Sequence, residues 1–411
     1  MPTDTACLST KPTTTLHPRL LLAILATLSA FGPVATDMYL SGFSLIKEYF
    51  QTSMGMVSIS LSVFFFGLAA GQLFYGPLID RFGRKPLLLL GVSLFSISSL
   101  LLALAPSIES FIALRLVQAI GSCAGMVVAR AMISDLYKEK EAARFFSLMM
   151  AVAIIAPILA PAIGGYLIAL AGWKSVFVFA AVFGFLTLGI THFFLPETLP
   201  HDHKKSADLR EILISYGRLF LRKHFILPTL VCAIGSGEMF AFISGSPYVY
   251  ITLHGVSQEH YGLLFGGNAL GMIVSAKINH TALKHFAPIK ILWTCVIANL
   301  FFSTLLFCLA QSVQLPVLFV LILLSLITVP AIGANATALA MDASGDRRGS
   351  ASALIGLLQF GLASVSSALV GALHNETAYP MTGMILGCSA IAVGILVADR
   401  FVVHVKAKRR R

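Results

Sequence analysis

The chain has 411 residues, 57% of them hydrophobic and only 11% charged, with a mean hydropathy of +0.87. A soluble domain carries about 25% Asp, Glu, Lys and Arg, so the composition excludes a soluble enzyme, a disordered protein and a nucleic-acid-binding module. The net charge of +11 fits Lys and Arg retained in the cytoplasmic loops of a membrane protein, and spans of about 20 residues leave room for roughly a dozen helices.

Residues 1–19, rich in Thr and Pro, are predicted to be a cytoplasmic tail. The apolar run over 20–45 that follows is longer than a signal peptide's core of about 7–15 residues. It continues into Lys47-Glu48 and is expected to be a retained first span. Further spans are predicted over 54–78, 87–105, 109–132, 145–169, 174–195, 225–251, 260–279, 289–311, 315–340, 350–373 and 380–402. Membrane strands are excluded, because their residues alternate in polarity over about 10 positions. Cys7, Cys123, Cys232, Cys295, Cys308 and Cys388 form no C-x-x-C pair. They are read as small buried apolar residues and not as a disulfide framework or zinc site.

The loops alternate in charge. One set holds Arg81, Arg84 and Lys85, then Lys138, Lys140 and Arg144, then Lys284 and Lys290, then Arg347 and Arg348; the other holds only Lys47 and Lys174. The rich set is expected on the cytoplasmic side, with both termini inside. The long polar linker 196–224 divides the chain into an N-terminal bundle, 20–195, and a C-terminal bundle, 225–402, followed by a basic tail, 403–411. His201 and His203 in the linker lack the fixed ligand geometry of a metal site, and no metal is expected. Leu209, Ile212, Leu213, Tyr216, Leu219 and Phe220 are spaced as the apolar face of an amphipathic helix lying along the membrane.

An ionisable residue inside a span is costly and is a functional candidate by default. Asp37 in span one is the foremost, because burial penalises a carboxylate's charge and makes it ready to take a proton. The alternative is a structural Asp paired to a neighbouring helix. Arg115 in span four faces the bundle interior on the same cost argument, the alternative being a side chain that snorkels to the interface. Glu238 is the second intramembrane acid, and Arg130, near the end of span four, is read as structural. The polar and aromatic residues Tyr39, Gln118, Phe240, Phe242, Asn268, Asn299, Asn335 and Gln359 suit an apolar cavity with a few polar groups, or act as packing contacts between helices.

The halves echo each other. Asp135 followed by Arg144 in the first corresponds to Asp342 followed by Arg347 and Arg348 in the second. Likewise Asp37-Met38-Tyr39-Leu40-Ser41-Gly42 corresponds to the stretch from Glu238-Met239 to Ser244-Gly245. Six spans per half make parallel repeats, the arrangement of major facilitator transporters. Gly76-Pro77-Leu78-Ile79-Asp80-Arg81-Phe82-Gly83-Arg84-Lys85 resembles that superfamily's G-x-L-x-D-R-x-G-R-[RK] signature. Its glycine permits a tight turn, Asp80 suits a nearby helix N-terminus, and Arg84 suits bidentate binding of a carboxylate, with Asp135 as its expected partner. Arg115-Leu116-Val117-Gln118-Ala119-Ile120-Gly121 resembles R-x-x-Q-G-x-G, with Ala119 in place of a Gly. Pro157, Pro161, Gly164 and Gly165 in span five resemble the antiporter signature, with Ala160 in place of its first Gly.

Together with Pro33 to Leu40, Phe242 to Tyr250 and Leu195-Pro196-Glu197-Thr198-Leu199, these motifs resemble the Bcr/CflA group of drug–proton antiporters over nearly the whole chain. The resemblance implies an all-α major facilitator fold of two pseudo-symmetric six-helix bundles in the bacterial inner membrane. It implies a cytoplasmic latch of Gly76, Asp80, Arg81, Gly83, Arg84 and Asp135 that ties the halves together. It implies proton coupling and no cofactor beyond the proton gradient; Asp37 is the expected site, and Glu238, which lies outside the group's pattern, is expected from its place inside a span to tune substrate charge or carry a second proton. The partners expected are small drug-like substrates, protons and lipid, with the monomer as the working unit. An exporter of one endogenous metabolite on the same scaffold is the second reading, and an enzyme is disfavoured because no catalytic motif or P-loop is present.

Overall fold

The computed structural model describes residues 18–137, 139–199, 209–345 and 348–409, and among these there is no strand. The linker residues His201 and His203, the N-terminal tail and Arg347 lie outside the described residues. Span one is built from three short helices, α1 (Pro18–Ser29), α2 (Phe31–Thr36) and α3 (Phe43–Tyr49), with a 3-10 turn at Leu40–Gly42. Then come α4 (Met54–Phe82), α5 (Arg84–Ala103), α6 (Ile108–Leu136), α7 (Glu139–Ala171), α8 (Lys174–Phe194) and the linker helix α9 (Leu209–Phe220). The second half comprises α10 (Lys223–Pro247), α11 (Gln258–Ala282), α12 (Pro288–Leu309), α13 (Leu315–Leu326), α14 (Val329–Asp342), α15 (Arg348–Ala372) and α16 (Tyr379–Arg409).

Among the described residues, eleven segments are long and apolar enough to cross a membrane. With α7, whose 33 residues include the shorter apolar stretch Ile155–Ala171, they supply the twelve predicted spans. Local chemistry sets their ends. Ser53 caps α4 by accepting the Met56 N–H at 3.2 Å. Ser107 and Ser110 form a reciprocal capping box at α6, and Ser257 caps α11. Such caps satisfy amide groups that a helix start leaves without partners. Four features differ from the sequence expectations. Span ten is broken between α13 and α14, where Pro330, in the first turn of α14, has no N–H to continue the ladder. The last helix runs on through the predicted basic tail to Arg409. In the linker helix Tyr216 and Leu219 are buried in the core of the second half, but Phe220 is 53% exposed. Of the five described cysteines all are free, and Cys308 is exposed rather than buried.

In the first half α4 and α5 pack on α6, and α5 on α8; in the second, α10 packs on α14, α15 and α16, and α12 on α14 and α16. The halves meet chiefly through α4 against α15 and α7 against α11. Serines bind reciprocally across the first seam: the Ser62 hydroxyl donates to the Ser364 carbonyl at 2.7 Å, and the Ser364 hydroxyl to the Ser62 carbonyl at 2.9 Å. The turns holding Gly83 and Gly345 lie on one face, here the basic face, and the helices alternate so that loops such as 50–53, 254–257 and 373–378 lie on the other. Towards that opposite face the seams close backbone to backbone. A Cβ on Gly55 would lie 2.6 Å from the Gly371 carbonyl, one on Gly262 would lie 2.5 Å from the Ala162 Cα, and one on Gly165 would overlap the Gln258 carbonyl. Phe65 and Phe240 pack across the interior with ring centroids 4.2 Å apart.

Two outcomes are expected. Gly165→Val should disfavour closure of the α7–α11 seam, at an overpacking cost of about 1–3 kcal/mol, roughly five- to 150-fold in the closed population. Faster hydrogen exchange at the start of α11 would report it, with Gly189→Val, whose added side chain meets open space, as the neutral control. The second concerns His374, just beyond α15, whose ring packs edge-on against Tyr248 at 4.4 Å. Burial, then the nearby Lys47 charge, holds its pKa below the ordinary value, with Glu376 opposing. The closed seam therefore takes up fewer protons than the open one. His374 supports closure above its ordinary value of about 6.5 and ceases to as pH falls below it. Protection of the amides around Tyr248, corrected for the intrinsic pH dependence of exchange, should fall on acidification in the wild type and show a flatter pH profile in His374→Gln.

Candidate functional site

The signature loop forms a compact ionic knot on the basic face. Gly83 has φ +99°, a conformation that favours glycine, and a Cβ there would lie 2.5 Å from Glu197 Oε2. Arg84, only 7% exposed, donates from Nε to Asp135 at 3.0 Å and from Nη1 to Asp80 at 2.8 Å and to the Ile79 carbonyl at 2.7 Å. Thr198 donates to the same Asp135 oxygen at 3.0 Å. The expected Arg84–Asp135 contact is present, but the guanidinium divides itself between two carboxylates rather than gripping one with two parallel bonds.

The N-terminus of α5 is served by Glu197 and not, as expected, by Asp80. Glu197 accepts the backbone N–H of Arg84 and Lys85, each at 3.0 Å, and those of Thr198 and Leu199 at 2.8 and 2.9 Å. Asp80 lies in the last turn of α4, four residues before Arg84, where the arginine side chain reaches it first. Gly76 faces open space, and Arg81 turns over the Phe82 ring at 5.2 Å. The described bonds join α4, α5, α6 and the segment after α8, all in the first half, rather than tying the halves together. The Glu197 role was missed in the sequence; its visible signal was a lone acid in Leu195-Pro196-Glu197-Thr198.

Inside the membrane the two halves carry separate polar centres. In the first, the helix stops at Thr36 and leaves Asp37 in the turn before Leu40. Asp37 is 4% exposed and accepts the Thr36 hydroxyl at 2.8 Å. The only ion pairs among the described residues are those of Arg84, so Asp37 has no basic partner there. Arg115 is fully buried, which removes the snorkelling alternative. It finds no carboxylate either. Its Nη1 donates to the Ala35 carbonyl at 2.8 Å and to Gln118 at 2.6 Å, and its guanidinium lies 4.3 Å from the Tyr39 ring centre and 4.4 Å from that of Phe64. Gln118 in turn donates to Ser99 at 2.8 Å, linking α6 to α5. Arg115 thus fixes the carbonyl two residues before Asp37, and with it the end of α2. Arg130 has no carboxylate partner among the described residues, since Asp135 is held by Arg84.

In the second half Glu238, 1% exposed, accepts the Asn299 amide at 2.9 Å. The other candidates are dispersed. Phe242 stacks on Phe265 at 5.5 Å, and Asn268 reaches the Leu264 carbonyl and the Tyr250 hydroxyl. Asn335 donates to Asn279 at 2.7 Å, and Gln359 contacts the Cys232 sulfur at 3.2 Å. Phe240, with Phe65 and Phe360 around it, lies at the seam. Pro157 and Pro161 fall within α7, and Gly164 brings that helix against the Met38 carbonyl, next to Asp37.

A helical bundle of twelve spans in two pseudo-equivalent halves, with acids buried between its helices, defines a membrane transporter and not an enzyme. Residues 22–368 match the Major Facilitator Superfamily. The chain is 34% identical over 381 residues to the uncharacterized MFS-type transporter YdgK of Bacillus subtilis, covering 91% of this chain and 93% of the relative. It is 30% identical over 371 residues to a bicyclomycin resistance protein homolog of Haemophilus influenzae, covering 90% and 93%. It is 32% identical over 250 residues to the multidrug transporter MdfA of Yersinia pestis, covering 60% and 61%. Among solved structures, an inward-facing, occupied bacterial homolog of the lysosomal transporter Spinster superposes with a TM-score of 0.72 at 16% identity, over 93% of this chain and 97% of that one. The chain belongs to the Major Facilitator Superfamily, in its Bcr/CflA group.

The knot predicts an asymmetry. Glu197→Gln should lower the thermal midpoint in detergent, because one amide oxygen cannot replace a carboxylate that accepts four N–H groups, a loss of about 1–3 kcal/mol. Asp80→Asn, at an exposed i,i+4 pair, should cost less than about 0.5 kcal/mol. Equal shifts for the two variants would show that the loop and not Glu197 holds the knot.

Proposed function

We propose that the chain is a proton-coupled efflux transporter. It exports small amphipathic compounds across the inner membrane, as a monomer, by alternating access between the two halves. The bicyclomycin-resistance and multidrug-transporter relatives support drug resistance as the activity, and the Lys and Arg bias supports a cytoplasmic basic face with both termini inside. The observation that carries proton exchange is Asp37. It is a carboxyl group buried at the break in span one, held by one hydroxyl and without an ion pair among the described residues.

In this scheme Asp37 is protonated from outside and releases its proton when substrate enters from the cytoplasm. Substrate and proton compete for a single carboxyl group, so each departs when the other arrives. Arg115 and Gln118 act as positioning residues, fixing the Ala35 carbonyl and so the turn that presents Asp37. Phe240 and Phe242 offer apolar surface near the seam, Glu238 provides a second proton-binding carboxyl group in the other half, and the Arg84 knot keeps the first half rigid as it rocks.

The test is substrate-induced proton release from purified protein. Wild type should release protons when a transported compound is added, and Asp37→Asn, which mimics the protonated state, should not. The variant should remain folded, since a neutral amide is cheaper to bury than a carboxylate, and should keep downhill movement while losing uphill export. Normal proton release from Asp37→Asn would remove it from the exchange. A resistance panel in an efflux-deficient host separates the multidrug scheme, in which unrelated compounds shift together, from export of one metabolite.

A further inference from the structure

The turn between α11 and α12 occupies in the second half the place that the signature loop, between α4 and α5, has in the first. The two are charged differently. In the first half each cation is already engaged: Arg84 by Asp80 and Asp135, Lys85 by the His192 carbonyl at 2.8 Å, and Arg81 over the Phe82 ring. Glu197 also lines the depression beside Phe82, Lys85 and Pro86, where its carboxylate would repel an anion. In the second half no Asp or Glu occurs between Glu259 and Asp342, while Lys277, Lys284 and Lys290 fall in that stretch. No ion pair reaches any of these three among the described residues.

Lys277, Ile278, Thr281, Ala282 and His285 line an open depression of about 440 Å³. It lies on the outside of the bundle. Asn279 turns inward and accepts from Asn335 of α14 at 2.7 Å. At about 100° per residue, Lys277 and Thr281 fall on the far side of α11 from that contact. The helix has 25 residues, so it is about 37 Å long against a hydrocarbon core of about 30 Å. Lys277, near its basic-face end, can therefore extend its ammonium to the level of the lipid phosphates while its stem stays in hydrocarbon. Leu270, Val274 and Ile278 are each more than half exposed. Their i,i+4 spacing makes them one ridge, running from the depression towards the membrane centre.

We propose that this depression binds one anionic glycerophospholipid. The Thr281 hydroxyl gives its hydrogen to the Lys277 carbonyl at 3.2 Å, which leaves Lys277 and His285 as the donors to the lipid phosphate. The His285 ring keeps an N–H donor in either charge state. One acyl chain lies along the ridge of Leu270, Val274 and Ile278. A soluble phosphate would meet the donors but gain nothing from the ridge. A zwitterionic lipid would use the ridge but bring its own cation against Lys277. Basic pockets on the outside of membrane helices, at the level of the head groups, suit anionic lipids for this reason. The site requires only that α11 crosses the membrane, and it is independent of the direction and driving force of transport.

The experiment is native mass spectrometry of the delipidated full chain in detergent, titrated with dioleoyl phosphatidylglycerol. The first lipid should bind saturably, one per chain, and more tightly than dioleoyl phosphatidylcholine. Lys277→Gln should weaken that first step about fivefold, the attraction of one surface lysine for anionic lipid, and Lys277→Arg should keep it. Lys223→Gln removes an equal charge from the exposed start of α10 on the same face and should leave binding unchanged. Glycerol phosphate, which has the phosphate without the chains, should not displace the lipid at tenfold excess. Binding that does not saturate, equal binding of phosphatidylcholine, or equal weakening by Lys223→Gln would show only diffuse attraction to the basic face and overturn the site. Displacement by glycerol phosphate would overturn the lipid in favour of a soluble phosphate.

Discussion

Hydrocarbon offers no hydrogen bonds, so every backbone N–H and C=O within the membrane must find its partner inside the protein. That constraint makes every span helical and limits where a helix can be interrupted. Two of the interruptions inside spans lie within the protein: Asp37 to Tyr39 are buried at the first, and Thr328 is buried at the second. Arg115 takes the Ala35 carbonyl beside the first, and Asn299 and Thr328 take the Ser325 carbonyl at the second. The candidate chemistry gathers at these places because a broken helix frees polar groups that a continuous one would use up.

The two buried arginines show how differently one residue type can be accommodated. Arg84 has two carboxylates and a carbonyl within reach, at a membrane face. Arg115 has a carbonyl, an amide and two aromatic faces, and its Nε and Nη2 have no partner. The first arrangement is a rigid structural tie. The second ties down the carbonyl two residues before Asp37 without an ion pair to that acid among the described residues.

The class of fold was legible from composition, and the twelve spans from apolar run lengths, because a membrane crossing imposes a minimum length that no soluble helix must meet. Asp37, Arg115 and Glu238 stood out on cost alone. What escaped the sequence was long-range. Glu197 lies more than a hundred residues from the amides it caps, and nothing local to Arg84 announces it. The break in span ten at Pro330 was not read from the sequence, and its meeting with Glu238 depends on α10, α12 and α13 converging, which no single stretch encodes. The cavity candidates were named by residue type, and type does not distinguish Gln118, spent on Arg115 and Ser99, from a residue left open to a ligand.

The glycine seams bear on how easily the halves can part. Where Gly55 meets Gly371, and Gly262 meets Ala162, main chain lies against main chain. Interdigitated side chains would have to leave and refind their rotamers with every opening, at a cost of about 0.5–1 kcal/mol for each Leu or Ile. Glycine and alanine have no rotamers to reorder, so in the alternating-access scheme proposed above these surfaces would part and rejoin without that entropic toll. The same smoothness gives little grip, which leaves the balance between closed and open to the few polar contacts that cross the seam, such as Ser62 with Ser364.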